Sequence, residues 1–328
     1  MRRLAVLLLV AACTSHSTAA PRPRVTAAPT TPSSPARPPS PATRALTWSG
    51  GARLPVPVSE VGVAALGREV HVIGGYVGGH PRSTTHLVLD TGTGRWRSAA
   101  PLPVAADHVG VAALDGRLWA VGGYGDPTAV RSWDPTTDRW TSHRPLPSGR
   151  AAGVLVALDG RLHYVGGKSN GADVASHLVY DPTSDHWTSA APLAVARDHA
   201  AGAVLAGRLY VAVGRPGDLS SAAAYDPRTD RWTPLPPVPL GRSSVAGAAF
   251  DGRFLVLGGE HPAERGVDTE VDAYDPVSGR WTRLPPLPSG RQGTGAVVVG
   301  DVLYLPGGGP VGGGSVQSDV LLELRLTP

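Results

Sequence analysis

One interval recurs along this chain and limits what it can fold into. Trp48 to Gly75, Trp96 to Gly123, Trp140 to Gly167, Trp187 to Gly214, Trp232 to Gly259 and Trp281 to Gly308 are each 27 residues apart. Six equal intervals mark a repeat array, in which one unit cannot bury its apolar face alone and stacks on copies of itself. In the third copy the apolar run Ala152 to Leu158 meets Asp159-Gly160, then a second run, Arg161 to Val165, ends in Gly166-Gly167. Asp-Gly between two such runs signals a two-residue hairpin. His177 to Tyr180 reads as a third strand, residues 181–185 as a turn, and His186 to Ser189 as a fourth strand carrying Trp187. The unit is thus a four-stranded antiparallel meander of roughly 45 residues. The expected class is all-β, and such sheets stacked face to face round an axis form a β-propeller.

Composition narrows the function classes. With 42 glycines, 33 prolines and only 17% charged residues, the chain suits many short strands joined by turns. The net charge of +4 comes from scattered arginines with no basic block, so nucleic acid is not an expected partner. The single cysteine, Cys13, rules out an internal disulfide or a Cys-ligated cluster. No metal and no cofactor is assigned from the sequence.

Residues 1–12 read as a signal peptide. Arg2 and Arg3 precede the apolar run Leu4 to Ala12, which falls short of the about 20 residues that cross a bilayer. Val10-Ala11-Ala12-Cys13 resembles the bacterial lipoprotein box and implies lipidation of Cys13. An ordinary cut near Ala19-Ala20 is the other reading. Residues 13–44 hold eight prolines among Ser, Thr, Ala and Arg, and read as an extended, disordered tether. The expectation is a propeller over 45–328, exported and lipid-anchored at the outer face of the cytoplasmic membrane or in the cell envelope.

The propeller units resemble kelch repeats. A double glycine ends the second strand at Gly74-Gly75, Gly122-Gly123, Gly166-Gly167, Gly258-Gly259 and Gly307-Gly308. An aromatic residue precedes Asp-Pro at Trp133, Tyr180, Tyr225 and Tyr274, with a tryptophan seven residues on. Leu89-Asp90-Thr91 and Val213-Gly214 depart from the pattern. The resemblance implies a kelch-type β-propeller, and six glycine pairs give it six blades. The last blade lacks a fourth strand of its own, so Ala45 to Trp48 is expected to supply one and close the ring. The repeated tryptophans and tyrosines are expected to fill the gaps between blades.

The 27-residue unit is constant, so length variation falls between the second glycine and the third strand. Glycine to tryptophan runs 21, 17, 20, 18 and 22 residues. Variable loops on one face are where specificity resides. Just before the innermost strand stand Arg150, Arg197, Arg242 and Arg291, with Val58 and Ala106 in the first two blades. Beside them are Asp107-His108 and Asp198-His199. Two readings stand for the arginines: a ring at the channel mouth that grips oxyanions in a bidentate fork, or bonds to backbone carbonyls between blades. The Asp-His pairs read as acid–base groups or as loop hydrogen bonds. Glu260, His261, Glu264, Arg265, Asp268, Glu270 and Asp272 cluster in the fifth loop, either as calcium ligands or as solvated charge.

Three classes occur among kelch propellers. Copper oxidases similar to galactose oxidase need a cysteine crosslinked to a tyrosine, and this propeller contains no cysteine. An exported mutarotase acting on sialic acid is the enzymatic alternative, although no catalytic motif matches residue by residue. The expected function is a binding module, not an enzyme, with a protein, peptide or glycan partner at the loop face.

Overall fold

The computed structural model describes residues 45–261 and 266–327. The expected signal peptide and tether, with Cys13, lie outside these residues. Six four-stranded antiparallel sheets form the ring, and no helix occurs among the described residues. In the first blade the strands run Gly62–Leu66, Glu69–Ile73, His86–Asp90 and Arg95–Ser98, from the axis outward. The innermost strands of the next five blades are Gly110–Leu114, Val154–Leu158, Ala201–Leu205, Ala246–Phe250 and Val297–Val299. Short two-residue pairs extend the variable loops of the third and fifth blades.

The sixth blade closes as the sequence implies. Leu321–Thr327 pairs with Ala45–Gly50, in register from Ala45 opposite Thr327 to Gly50 opposite Leu322. The closing strand is two residues longer than expected.

Local chemistry explains the repeat. At Asp159-Gly160 both residues have positive φ, 49° and 71°, the conformation of a tight primed hairpin turn. The double glycine marks the crossing of the next blade. Gly123 donates its N–H to the Arg150 carbonyl at 2.8 Å, and a Cβ on Gly122 would collide with that same oxygen. Only glycine permits this approach without strain. The departing pair solves the problem differently, since Val213 adopts φ 57° in place of the first glycine.

The tryptophans do more than fill space. Most are only half-buried, and each donates its indole N–H to a carbonyl near the preceding interblade connection. The acceptors are Ala52 for Trp96, Ala100 for Trp140, Arg144 for Trp187, Ala191 for Trp232, Pro236 for Trp281 and Pro285 for Trp48. The third-strand aromatics are buried, and Trp133 and Tyr225 donate to Asp138 and Asp230 at 2.9 and 2.8 Å. Those aspartates accept in turn from the Ala100 and Ala191 amides. The constant unit is a set of staples between neighbouring blades.

Candidate functional site

The site begins at the repeat position two residues after the arginine position. Glu60, His108, Ala152, His199, Ser244 and Gly293 stand there, one per blade, all with φ between 51° and 61°. Their backbones bond in a circle. His108 N–H donates to the Glu60 carbonyl at 3.0 Å, Ala152 to His108 at 3.1 Å, and His199 to Ala152 at 2.9 Å. Ser244 donates to His199 and Gly293 to Ser244, both at 3.0 Å, and Val61 N–H closes the ring on Gly293 at 3.4 Å. This collar fixes six side-chain positions around the axis. It caps a cavity of about 520 Å³ whose walls are the innermost strands, with small apolar residues such as Gly62, Ala64, Ala112, Gly202 and Ala248.

A second ring lies behind the collar on the loop side. The residues directly after the double glycines are Tyr76, Tyr124, Lys168, Arg215, Glu260 and Gly309. Each bridges to the residue preceding a collar residue: Ser59, Asp107, Ala151, Asp198, Ser243 and Gln292.

Charge concentrates where the rings meet. Glu60 Oε2 lies 3.0 Å from His108 Nε2, and Asp107 Oδ1 lies 2.5 Å from His108 Nδ1. Arg82 Nε donates to the other Asp107 oxygen at 2.6 Å. Asp198 Oδ1 is 3.1 Å from His199 Nδ1 and Oδ2 is 3.2 Å from Lys168 Nζ. Neither contact is well aligned, so both buried Asp198 oxygens and His199 Nδ1 lack a hydrogen-bond partner. Glu260 accepts from Arg215 Nη2 at 2.5 Å, from Ser244 Oγ at 2.8 Å and from the Gly313 amide at 2.8 Å.

These neighbours set the protonation states. Burial would raise Glu60, but His108, His199 and Arg215 outweigh it and hold the carboxyl down at about 2. Burial would likewise discharge His108, yet Glu60 and Asp107 push it up to about 9. Burial lowers His199, with Asp198 opposing and the charges of His108 and Arg215 adding to the fall. At neutral pH the mouth therefore holds a carboxylate, an imidazolium and a neutral imidazole side by side. One ligand-type atom from each of Glu60, His108 and His199 lies within 4.8 Å of the others.

The arginines do not line this mouth, which corrects the expectation of an arginine ring. Arg242 is 0% exposed and donates to the carbonyls of Gly258, Leu240, Val256 and Glu270 and to Asp272 Oδ2 at 2.8 Å. Arg197 donates to the Val213 and Ser221 carbonyls and the Ser221 hydroxyl. Arg150 bonds the Ser148 and Ser176 hydroxyls and the Gly149 carbonyl, and Arg291 bonds the Gly290 carbonyl. All four are buried, and each donates to at least one backbone carbonyl, mostly of its own blade or its own chain neighbours. Asp107 and Asp198 are buried behind the collar, while His108 and His199 belong to it.

The acidic fifth loop is likewise paired off. Asp272 faces Arg242 and Arg283, Glu270 faces Arg283, and Asp268 faces His261. Glu264 and Arg265 lie outside the described residues. Sequence reasoning passed over Glu60, Tyr76, Tyr124, Lys168, Arg215 and the inward role of Glu260. The signal was available in the register, since Glu60 falls at the repeat position of His108 and His199.

The comparisons with known proteins agree with this fold. Residues 196–239 and 241–288 match the Kelch motif. The chain carries kelch repeats. The two matched stretches span the fourth and fifth blades. A solved structure titled "Structure of YjhT" is 19% identical, with a TM-score of 0.73 over 83% of this chain and 96% of that one. At that identity the likeness is one of fold. No match was found among the curated proteins.

Proposed function

We propose that the chain is an exported, lipid-anchored kelch propeller that binds a carboxylate-bearing ligand, an acidic glycan or peptide, at the channel mouth on its loop face. The observation that carries this reading is the second ring. Lys168 and Arg215 each keep 30% of their side-chain surface exposed, at the repeat position that holds Tyr76 and Tyr124 in neighbouring blades. Cations that retain free donors bind carboxylates through charge-assisted hydrogen bonds, and half-buried tyrosines offer flat faces and hydroxyls to sugars or side chains. A glycan and acidic-peptide array probed with residues 45–328 tests it. Retention of acidic members over their neutral counterparts is expected, and equal retention of both contradicts the reading.

A second reading has its own support. Glu60 and His108 form a close carboxylate–imidazolium pair at the mouth, the kind of pair that moves protons in a carbohydrate-active enzyme of the sialic-acid mutarotase type. Faster anomer exchange of an acidic sugar in the presence of the protein separates this from binding alone.

The anchor rests on Val10-Ala11-Ala12-Cys13 following the short apolar run. Labelled palmitate is expected in the parent and absent from Cys13→Ala; equal labelling of both contradicts lipidation.

A further inference from the structure

We propose that Glu60, His108 and His199 form a site for one first-row divalent metal ion of the zinc class on the propeller axis. The three donor atoms already lie within 4.8 Å of one another. In a tetrahedral site two ligands each about 2.1 Å from the ion stand about 3.4 Å apart, so a pair 4.8 Å apart has to close by roughly 1.4 Å. The collar holds the three backbones in place, so this closure is left to rotation of the Glu60, His108 and His199 side chains.

The surroundings have the features of a metal site. Asp107 Oδ1 takes the Nδ1 side of His108, leaving Nε2 directed at Glu60. Asp198 stands in the same relation to His199 Nδ1 at 3.1 Å. A carboxylate behind each imidazole fixes the tautomer and raises the basicity of the ligating nitrogen. The unpartnered Asp198 oxygens and His199 Nδ1 are buried polar atoms that a slight rotation of His199 toward an ion would bring into a proper bond. The other collar residues, Ala152, Ser244 and Gly293, are small. They leave coordination positions open toward the axis. A Cβ at Gly293 would strike the Glu60 carboxylate, so glycine there leaves that carboxylate in its present place.

Charge at the mouth allows a cation to exchange for a proton. Four buried carboxylates, Glu60, Asp107, Asp198 and Glu260, face three part-exposed cations, Arg82, Lys168 and Arg215. The His108 imidazolium supplies the fourth positive charge, so a divalent ion that replaces its proton adds only one net charge to the mouth. Each of those cations is already held by Asp107, by Asp198 with Asp173, or by Glu260. Their repulsion of an incoming ion is thereby reduced. Binding displaces the proton shared between His108 and Glu60, which leaves to solvent.

The proposal stands apart from ligand retention by Lys168 and Arg215, because its readout is metal stoichiometry. The untagged full-length chain, stripped with a chelator, is titrated with Zn²⁺ and separately with Co²⁺. One equivalent is expected, with visible Co²⁺ absorption of a low-coordinate site. Glu60→Gln and His199→Ala are expected to weaken binding at least 100-fold and to abolish the Co²⁺ band. Asp107→Asn is expected to weaken it by about 10- to 100-fold through His108. Absence of binding to the folded parent below 100 µM metal, or parent-like binding by Glu60→Gln, overturns the proposal. Glu60→Gln keeps the side chain's shape, so it tests the site even where His199→Ala does not fold.

Discussion

Deletion of residues 45–50 is expected to open the ring and remove most of the propeller's stability. These residues form the outer strand of the sixth blade, paired along their whole length with Leu321–Thr327. Leu46 and Trp48 pack against the core between the fifth and sixth blades, and Trp48 donates its indole N–H to the Pro285 carbonyl at 3.0 Å. About six main-chain hydrogen bonds at roughly 1 kcal/mol each, with partial burial of two large side chains, give a loss on the order of 5–10 kcal/mol. That is the size of a typical domain's whole stability. The freed edge of Leu321–Thr327 would also offer unpaired amides to other chains, so association is expected alongside the lower melting temperature. A thermal melt with size-exclusion chromatography reads both. A deletion variant that melts as the parent does and stays monomeric contradicts closure by this strand.

Arg242→Met is expected to cost about 3–5 kcal/mol, because it leaves the Asp272 carboxylate fully buried without its main partner. Arg283 Nε would remain at 2.8 Å from Asp272, but Arg283 is half exposed and bonds the other oxygen. The Gly258 and Val256 carbonyls would also lose their donors. Arg150→Met should cost markedly less, since its partners are hydroxyls and one carbonyl, and no carboxylate is stranded. Urea unfolding of the two variants beside the parent measures the difference. Equal losses would mean that the buried ion pair contributes nothing particular to the fifth blade.

The contrast between these arginines and the collar shows what sequence periodicity carries. Periodicity marks the positions that every blade must solve in the same way. The 27-residue interval therefore encodes the hairpins, the double-glycine crossing, the tryptophan staples and the closing strand, all of which depend on local turn chemistry and strand alternation. It also marks Arg150, Arg197, Arg242 and Arg291 as one set. All four are buried and bond neighbouring carbonyls, with hydroxyls added at Arg150 and Arg197 and a carboxylate at Arg242. The mouth follows the opposite rule. Its collar position holds Glu, His, Ala, His, Ser and Gly, so only the two Asp-His pairs repeat there and Glu60 carries no repeated letter. What places Glu60 beside His108 and His199 is ring closure, which brings the first, second and fourth blades onto one axis. Contacts such as Glu260 to Gly313 depend on how one loop folds against another, and no spacing in the chain encodes that.

The most direct test of ligand binding at the second ring compares the two sets of cations in one measurement. The acidic ligand retained on the array is titrated calorimetrically into the Lys168→Gln, Arg215→Gln double variant and into the Arg150→Met, Arg291→Met double variant. Thermal melts establish that each is folded. Two lost charge-assisted hydrogen bonds at about 1.5–3 kcal/mol each predict a fall in affinity of about 100-fold or more for the first variant. The second is expected to bind as the parent does while unfolding at lower temperature. Parent-like affinity in the first, or a comparable loss in the folded second, would contradict a binding site built on the ring behind the collar.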